Sequence, residues 1–359
     1  MYMSEDFSKV IKFLRFPLIV GVVLIHSTLS NMMIHGQPLL IGDDWYFFKT
    51  LTKLLSGIFA QVTVPLFFFI SGYLFFIKLK SFNLMAYKQS IGKRIFSLVI
   101  PYMFWNLFVI FVFFIVEIVA PQYLSGKYKL ISQWGGEDWF LAFWNFQSTT
   151  FPRCYQFWFI RDLIVILFLF SPLIYFLTKK INLILPILLM VNWFFDFFNF
   201  GIGLSNTALF FISLGAYFGI TKYDFMNVLK KYCSYLIALY VILALTELFC
   251  TNNEYLHKLN ILFGICAVID IVLLIVNQNI KIPTIFSNAT FFVYALHGVL
   301  LIFVQKILVY VIFNPTNSDL KATLIYLCSA ISTIFLCTIC HLISTKFFPK
   351  ITSIVSGGR

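Results

Sequence analysis

Charged side chains are scarce in this sequence of 359 residues, because Asp, Glu, Lys and Arg together make up only 11% of it. Soluble globular chains usually carry about 25% charged residues and about 45–50% apolar ones. Here the apolar fraction rises to 61%. This composition excludes a soluble enzyme and a disordered chain, and it predicts an α-helical protein that crosses a membrane several times.

Two other architectures are excluded by features that the sequence lacks. The strict alternation of apolar and polar residues that marks the strands of a membrane barrel is missing, since the apolar stretches are long and continuous. A secreted disulfide scaffold is excluded because most of the seven cysteines lie inside apolar runs, where they pack as small side chains. Only Cys154 and Cys250 fall on the expected outer side, and we expect no disulfide between them.

The sequence instead contains a series of apolar segments close to the roughly 20 residues that a helix needs to cross the hydrocarbon core. Ten spans are predicted: 13–31, 54–77, 95–119, 157–178, 182–199, 205–220, 233–250, 259–277, 284–311 and 321–345. Lys and Arg collect in cytoplasmic segments of membrane proteins. With the N-terminus inside, ten spans place roughly twice as many basic residues on the cytoplasmic side as on the outer side.

The predicted fold class is therefore an all-α transmembrane helix bundle of about ten spans with both termini cytoplasmic. Residues 1–350 form a single transmembrane domain, and residues 351–359 form a short cytoplasmic tail. The excess of 26 basic over 14 acidic residues follows from this topology, so we expect membrane lipids and no nucleic acid as partners.

Ionisable side chains within the apolar segments are the first candidates for function, since each costs about 2.5–3.5 kcal/mol at mid-bilayer. The first segment holds Arg15 and His26, whose separation of eleven residues is about three helical turns plus 20°. Both are expected on one helix face, with Arg15 near the cytoplasmic headgroups and His26 near the bilayer centre. There a guanidinium can bind phosphate, and a neutral imidazole can accept a proton from a hydroxyl. The alternative is a snorkelling arginine and a histidine that only packs.

Further candidates lie in the inner half of the predicted bundle. His297 falls in the ninth span at about the depth of His26, so the two could share a polar chamber, although His297 could also only link helices. Ser71 offers a hydroxyl in the second span or serves close packing. Lys93 and Arg94 are a second candidate binding site for phosphate, or they only mark the cytoplasmic side.

Polar and aromatic residues toward the outer ends are candidates for binding sugar hydroxyls and rings. They are Glu117, Trp158, Arg161 and Asp162, next to a Trp-rich loop over about 120–156. The alternatives are an interfacial aromatic belt and mutual charge compensation of Arg161 and Asp162.

One motif is discounted as a metal site. The run Cys337–His341 has the spacing of a c-type haem attachment site, but it lies inside an apolar span, so helix packing is expected there. No histidine is spaced as a zinc ligand, and we expect no metal.

Five motifs in order resemble the acyltransferase family 3 integral-membrane proteins, and most of all the stand-alone bacterial surface-polysaccharide O-acyltransferases. They are Arg15-x10-His26, Val64–Leu74 (VPLFFFISGYL), Lys93–Tyr102 (KRIFSLVIPY), Phe157–Leu163 (FWFIRDL) and Tyr294–His297 (YALH). The family's arginine and histidine correspond to Arg15 and His26.

The resemblance implies acyl-CoA, usually acetyl-CoA, as cytoplasmic co-substrate with no permanently bound cofactor. It implies transfer to a hydroxyl of a cell-surface or lipid-linked glycan, in a multi-pass protein of the bacterial inner membrane. Larger relatives carry a periplasmic domain that completes the transfer, so a separate periplasmic transferase is a candidate partner. The alternative function is a transporter or flippase of a lipid-linked sugar or small molecule.

The mechanism expected from this resemblance assigns CoA phosphates to Arg15, Lys93 and Arg94. His26 acts as general base, or carries the acyl group in a covalent variant. The developing oxyanion is stabilised by Ser71, Tyr294 or His297, and Tyr294 is also a candidate substrate contact.

Overall fold

The computed structural model describes residues 4–34, 37–39, 41–79, 83–121, 129–145, 151–201, 203–250, 253–313 and 318–358. The regular secondary structure of these residues is helical apart from one short antiparallel ladder between Met33–Ile34 and Gln37–Pro38. The predicted all-α class is therefore confirmed for the described part of the chain.

Fifteen α-helices follow one another in the described residues. They are α1 (Glu5–His26), α2 (Tyr46–Thr52), α3 (Thr63–Phe76), α4 (Leu84–Arg94), α5 (Ile100–Val119), α6 (Gly136–Phe143), α7 (Trp158–Val165), α8 (Ser171–Ile181), α9 (Ile184–Phe195), α10 (Asn206–Thr221), α11 (Phe225–Phe249), α12 (Glu254–Asn277), α13 (Thr284–Ile312), α14 (Asp319–Phe347) and α15 (Pro349–Val355).

Each predicted span coincides with a helix or a run of helices, but only some of these are long and apolar enough to cross a membrane. By length and composition there are seven in the described residues: Tyr46–Phe76, Leu84–Val119, Tyr155–Ile181, Phe225–Phe249, Glu254–Asn277, Thr284–Ile312 and Asp319–Phe347. The helices α9 and α10 are apolar but shorter, with 12 and 16 residues. The helix α1 has 22 residues but carries Lys9, Lys12 and Arg15. Ten spans and cytoplasmic termini thus remain predictions.

Three of the long apolar runs are continuous because wider π-helical turns join their α-helices. These turns are Lys53–Ile58, Ile95–Val99 and Ile166–Phe170. Such turns often mark functional sites, and the second one follows Arg94 directly.

Local sequence explains where several helices begin and end. Ser205 and Asn253 cap α10 and α12, because their side-chain oxygens accept backbone N–H groups of the first turn. Asp196 and Lys222 stop α9 and α10 by adopting left-handed backbone angles, with φ of 50° and 57°.

The chain divides into two compact units. Unit 1 comprises Met1–Val22, Lys53–Lys93 and Asp162–Ser287. Within it, α3 and α10 approach so closely that a Cβ on Gly72 would meet the backbone of Ile212 and one on Gly215 would meet the backbone of Phe69. Glycine is required at both positions because any side chain would separate the two backbones.

Unit 2 comprises Val23–Thr52, Arg94–Arg161 and Asn288–Arg359. The carboxylate of Asp319, at the start of α14, accepts the N–H groups of Phe47 and Phe48 at 2.9 and 2.6 Å and so fixes α2. Part of the predicted tail lies in α15, where the carbonyl of Val355 accepts a hydrogen bond of 3.0 Å from the Trp105 indole. Unit 2 also contains the candidate site.

Candidate active site

Two ring side chains of unit 2, those of His297 and Tyr155, lie against His26, the last residue of α1. The rings of His26 and His297 lie 5.6 Å apart between centroids, with their planes inclined by 29°. The ring of Tyr155, from the 3-10 turn Tyr155–Phe157, stands edge-on to His26 at 4.9 Å and 75°. His26 and Tyr155 keep partial exposure, whereas His297 has none. The two histidines that the sequence places at one depth are therefore neighbours.

The tautomer of His297 follows from its hydrogen bonds. Its Nδ1 lies 2.7 Å from the carbonyl oxygen of Tyr294 and 3.2 Å from that of Val293. Carbonyl oxygens only accept, so Nδ1 carries the hydrogen and donates it. The other ring nitrogen, Nε2, is buried and has no hydrogen-bond partner in the described part of the chain.

The turn that presents Tyr155 is fastened to α13 by Gln156. The side-chain amide nitrogen of Gln156 donates to the Ala295 carbonyl at 2.9 Å, and the backbone carbonyl of Gln156 accepts from the Tyr294 hydroxyl at 2.7 Å. The Gln156 side chain lies against Gly298, where an added Cβ would come within 2.6 Å of its Oε1. A glycine at residue 298 is therefore needed for this contact.

The residues next to His26 and Tyr155 are held as well. The carbonyl of Ser27 accepts a hydrogen bond of 2.7 Å from the Gln305 side chain of α13. The backbone N–H of Cys154 donates to the Asn106 side chain of α5 at 2.8 Å. Both partners are buried. The ring cluster thus stands on backbone that α5 and α13 fix.

This arrangement has the components of proton-transfer chemistry. It presents a partly exposed imidazole, a second imidazole with a fixed tautomer and a phenol beside the first. A positioned imidazole can remove a proton from a substrate hydroxyl when it is neutral.

The basic candidates and Ser71 lie on α1, α3 and the end of α4. Arg15 is an exposed residue of α1, eleven residues before His26, and Ser71 is a half-buried residue of α3. Lys93 is exposed and Arg94 half-buried at the end of α4. Of these four, only Arg94 belongs to the same unit as His26. Their roles in binding phosphate or an oxyanion stay predictions.

Two of the outer candidates bind other groups of unit 2. The carboxylate of Glu117 accepts the N–H groups of Ile131 and Ser132 at 2.7 and 3.1 Å, together with the Ser132 hydroxyl. The guanidinium of Arg161 lies 5.7 Å from the centre of the Trp144 ring. Glu117 therefore anchors the following turn, and its sugar-binding role stays a prediction.

The other two outer candidates differ in exposure. Trp158 begins α7 and is partly exposed. Asp162 is fully buried, and its carboxylate accepts the N–H of Ser205 at 3.3 Å within unit 1. Neither the exposure of Trp158 nor the hydrogen bond of Asp162 tests whether these residues bind a sugar.

The Trp-rich loop is only partly described, because residues 122–128 and 146–150 lie outside the described ranges. In the described part, the rings of Trp134 and Trp139 meet edge-on at 5.3 Å, and the Arg153 guanidinium lies 5.8 Å from Trp134. These contacts are within the protein itself.

The cysteines and the Cys337–His341 run form no metal centre in the described ranges. All seven cysteines are free thiols. Cys337 and His341 lie within α14, and the His341 ring packs edge-on against Phe292 at 5.5 Å. No group of three or more His, Cys, Asp or Glu side chains in the described residues could hold a metal ion.

Tyr155 and Gln156 are the site residues that sequence reasoning missed. They come directly before the Phe157–Leu163 motif, and this adjacency is the one signal for them. Neither side chain is charged, so neither stands out among the apolar segments as a buried charge does.

Comparison with known proteins identifies the family. No curated protein and no solved structure matches the chain. The acyltransferase family 3 model, described as an acyltransferase domain, matches residues 9–342. Since this range is nearly the whole chain, the resemblance carried by the five motifs is confirmed, and this integral membrane protein belongs to the acyltransferase family 3.

Proposed function

We propose that this protein is a membrane-embedded O-acyltransferase that moves an acyl group, most simply acetyl, from cytoplasmic acyl-CoA to a hydroxyl of a cell-surface or lipid-linked glycan. Family membership supports acyl transfer. The observation that carries the site assignment is the partial exposure of His26 beside the fully buried His297. A base must reach its substrate, and His26 is the imidazole of this pair with accessible surface.

His26 is the general base of the proposed reaction. The hydroxyl oxygen forms the new ester bond with the thioester carbon, and the carbon–sulfur bond breaks. The hydroxyl proton passes to His26, which then returns a proton to the CoA thiolate. General base assistance of this kind contributes typically about 10²–10⁴-fold to the rate.

The CoA phosphates are assigned to Arg15, Lys93 and Arg94, because guanidinium groups bind phosphate oxygens in pairs. Arg15→Lys keeps the charge but loses the bidentate geometry. This variant should weaken acyl-CoA binding more than it lowers turnover at saturating acyl-CoA.

Ser71 stays a candidate oxyanion donor on the basis of the sequence, and two other candidates use their hydrogens elsewhere. The Tyr294 hydroxyl donates its one proton to the Gln156 carbonyl, and His297 in its neutral form donates from Nδ1 to backbone carbonyls. A hydroxyl at Ser71 would instead donate to the charge that develops on the thioester oxygen.

The glycan is assigned to the outer side of a bacterial inner-membrane protein, at the partly exposed Trp158, because the neighbouring Arg161 and Asp162 are buried. In the variant in which donor and acceptor never meet, His26 would carry the acyl group as a transient acyl-histidine while CoA leaves, and the glycan hydroxyl or a separate periplasmic transferase would then take the acyl group. Acyl-CoA is consumed as co-substrate in either case.

Binding of CoA to the purified protein separates this function from that of a transporter. Detergent-solubilised protein should bind acetyl-CoA or desulfo-CoA in isothermal titration calorimetry, whereas a flippase of a lipid-linked sugar has no such site. Absence of binding would favour the transporter. Mass spectrometry of surface glycan from a deletion strain should then show the loss of one acyl mass.

His26→Ala tests the base directly. Transfer from radiolabelled acetyl-CoA to the envelope fraction of the deletion strain should fall by roughly 100-fold or more, with expression and melting temperature retained. The matched control is His257→Asn on α12, because His257 lies outside the ring cluster and its 2.6 Å hydrogen bond from Nδ1 to Glu247 can be kept by the Asn amide nitrogen. Near-normal transfer by the His26 variant would remove this residue from the mechanism.

A further inference from the structure

We propose that Nε2 of His297 accepts a hydrogen bond from the substrate, either from a hydroxyl of the acceptor glycan or from an amide N–H of the pantetheine arm of CoA. This inference rests on the proposed function. It makes His297 a binding residue that acts as an acceptor rather than as an oxyanion donor.

The contacts of His297 with backbone carbonyls decide which of its ring nitrogens carries the hydrogen. Nδ1 lies 2.7 Å from the Tyr294 carbonyl oxygen and 3.2 Å from the Val293 carbonyl oxygen, so it carries the hydrogen. In the neutral ring Nε2 then has a lone pair and no hydrogen. A charged ring would instead bury an unpaired N–H and a positive charge at a residue with no exposed surface, which is far more costly.

The lone pair of Nε2 is an unsatisfied buried acceptor. It has no hydrogen-bond partner in the described residues. Leaving such a group unpaired costs about 1–3 kcal/mol, and most buried polar atoms in folded proteins are paired. Because His297 has no exposed surface, a donor that arrives with the substrate reaches this acceptor only when a neighbouring side chain moves aside, and the partly exposed His26 and Tyr155 are the rings at this place.

The neighbouring polar groups do not meet this need. The one hydroxyl proton of Tyr294 is donated to the Gln156 carbonyl at 2.7 Å. The centre of the His26 ring lies 5.6 Å from that of His297, and neither nitrogen of His26 makes a hydrogen bond to Nε2. A group that donates to Nε2 therefore lies close to His26, where the transfer step is proposed.

Both donor classes that the reaction offers fit this acceptor. A sugar presents hydroxyls beside the one that attacks, and the pantetheine arm carries amide N–H groups near its thioester. Each would give His297 the same single hydrogen bond.

Two amide variants of His297 separate its two ring nitrogens. His297→Asn places an amide nitrogen near the position of Nδ1, which keeps a donor for the Tyr294 carbonyl, and removes the acceptor at Nε2. His297→Gln reaches further and can place an amide oxygen near the position of Nε2. We expect transfer from acetyl-CoA to the deletion-strain envelope to fall roughly 5- to 100-fold in the Asn variant and to recover in part in the Gln variant.

Calorimetry with CoA distinguishes the two sources of the donor. A weaker CoA affinity in His297→Asn assigns Nε2 to the pantetheine amide, and an unchanged affinity with lowered transfer assigns it to the glycan hydroxyl. Unchanged affinity together with unchanged transfer would overturn the proposal and leave a fixed water as the partner of Nε2. If the wild-type protein neither binds CoA nor transfers acetyl, the proposed function itself has failed.

A measurement on the wild-type protein covers the case in which both variants fail to fold. With ¹⁵N-labelled histidine, the Nε2 resonance of His297 should shift when CoA or isolated envelope glycan is added, since accepting a hydrogen bond changes the electronic surroundings of the nitrogen. The protein has five histidines, so single variants at the other four (His26→Ala, His35→Gln, His257→Asn and His341→Gln) assign the remaining signal to His297. A resonance that moves with neither addition would contradict the inference.

Discussion

At the residue scale, His26 and His297 show how the same type of side chain differs in accessibility and hydrogen bonding according to its surroundings. His297 is fixed by two backbone carbonyls and has no exposed surface, whereas His26 is held mainly by the rings around it and stays partly accessible. Their sequence depth predicts that they are neighbours, because 1.5 Å of rise per residue can be counted from either end of a span. Access and tautomer depend on which residues pack around each ring, and the sequence pattern does not contain that information.

Tyr155 and Gln156 illustrate the same limit. They belong to a short turn, and turns lack the periodicity that allows helix faces to be read from sequence. Their position beside His26 and Gly298 depends on two long-range hydrogen bonds to α13.

Gly298→Ala should disturb this arrangement. A Cβ at residue 298 would lie 2.6 Å from the Gln156 Oε1, so the amide must move and its bond to the Ala295 carbonyl is weakened. We expect a loss of about 1–3 kcal/mol in unfolding free energy, together with lowered transfer. The measurement is a thermal melt in detergent alongside the transfer assay.

The matched control for this substitution is Gly92→Ala in α4, where an added Cβ meets nothing within 4 Å. Alanine favours a helix over glycine by about 0.5–1 kcal/mol, so this variant should be stabilised. Equal melting behaviour of the two variants would contradict the packing argument.

At the scale of elements, α3 and α10 form a seam of small residues. Gly215 and Gly219 are spaced as in closely packed membrane helices, and a Cβ on Gly219 would lie 2.9 Å from the Tyr73 carbonyl oxygen. The sequence contains the spacing, but it does not say which helix lies opposite. The helices themselves were predictable from hydropathy, while the π-helical turns at Lys53–Ile58, Ile95–Val99 and Ile166–Phe170 were not, because a π turn changes the hydrogen-bond register without changing composition.

Gly215→Ala should open this seam. The new Cβ would meet the backbone of Phe69 and lie 2.7 Å from the backbone nitrogen of Tyr73, and backbone cannot rotate away. We expect a destabilisation of about 3 kcal/mol or more, measured as loss of monodisperse protein in size-exclusion chromatography. Gly57→Ala, whose Cβ would meet only the Lys53 side chain at 3.8 Å, should elute like the wild type.

The short helix α6 gives a prediction for acidic pH. The Lys129 ammonium, 2.6 Å from Asp138, and the N–H of Gly135 hold the pKa of this carboxyl below its usual value of 3.8. Because the folded pKa is depressed, the stabilisation is present above the usual value and is lost as pH falls through the folded pKa.

Hydrogen exchange over α6 tests this prediction. Protection should be constant near neutral pH, after correction for the intrinsic exchange rate, and should fall below about pH 3.8. Asp138→Asn should show lower protection at neutral pH with no acid transition. An acid transition that persists in this variant would assign it to another group.

At the scale of the whole molecule, the apolar segments of the sequence and the lengths of the helices give different numbers of membrane crossings. Composition predicts ten spans, and the described helices supply seven that are long and apolar enough. The difference lies in α1, α9 and α10, where charge or short length weakens the signal.

Two cysteine positions distinguish ten crossings from seven. In the ten-span topology, seven predicted spans separate Glu5 from Cys250, so the two residues lie on opposite sides of the membrane. If only the seven long apolar runs cross the membrane, four of them separate the two residues, which then lie on the same side. Both side chains are exposed. In sealed right-side-out vesicles, ten crossings predict that a membrane-impermeant maleimide labels Cys250 of the wild-type protein. The variant Glu5→Cys, made in a Cys250→Ser background, should be labelled only after the vesicles are permeabilised. Labelling of both under the same condition would contradict ten crossings.

The position of His26 as the final residue of α1 has an electrostatic consequence. The aligned peptide dipoles of a helix leave partial negative charge on its last carbonyl groups, which favours a cation there by about 0.3–1 kcal/mol. In the proposed reaction His26 becomes an imidazolium only while it holds the hydroxyl proton. The end of α1 thus stabilises the base at the moment when it is charged, and no acidic side chain has to be placed beside it for that purpose.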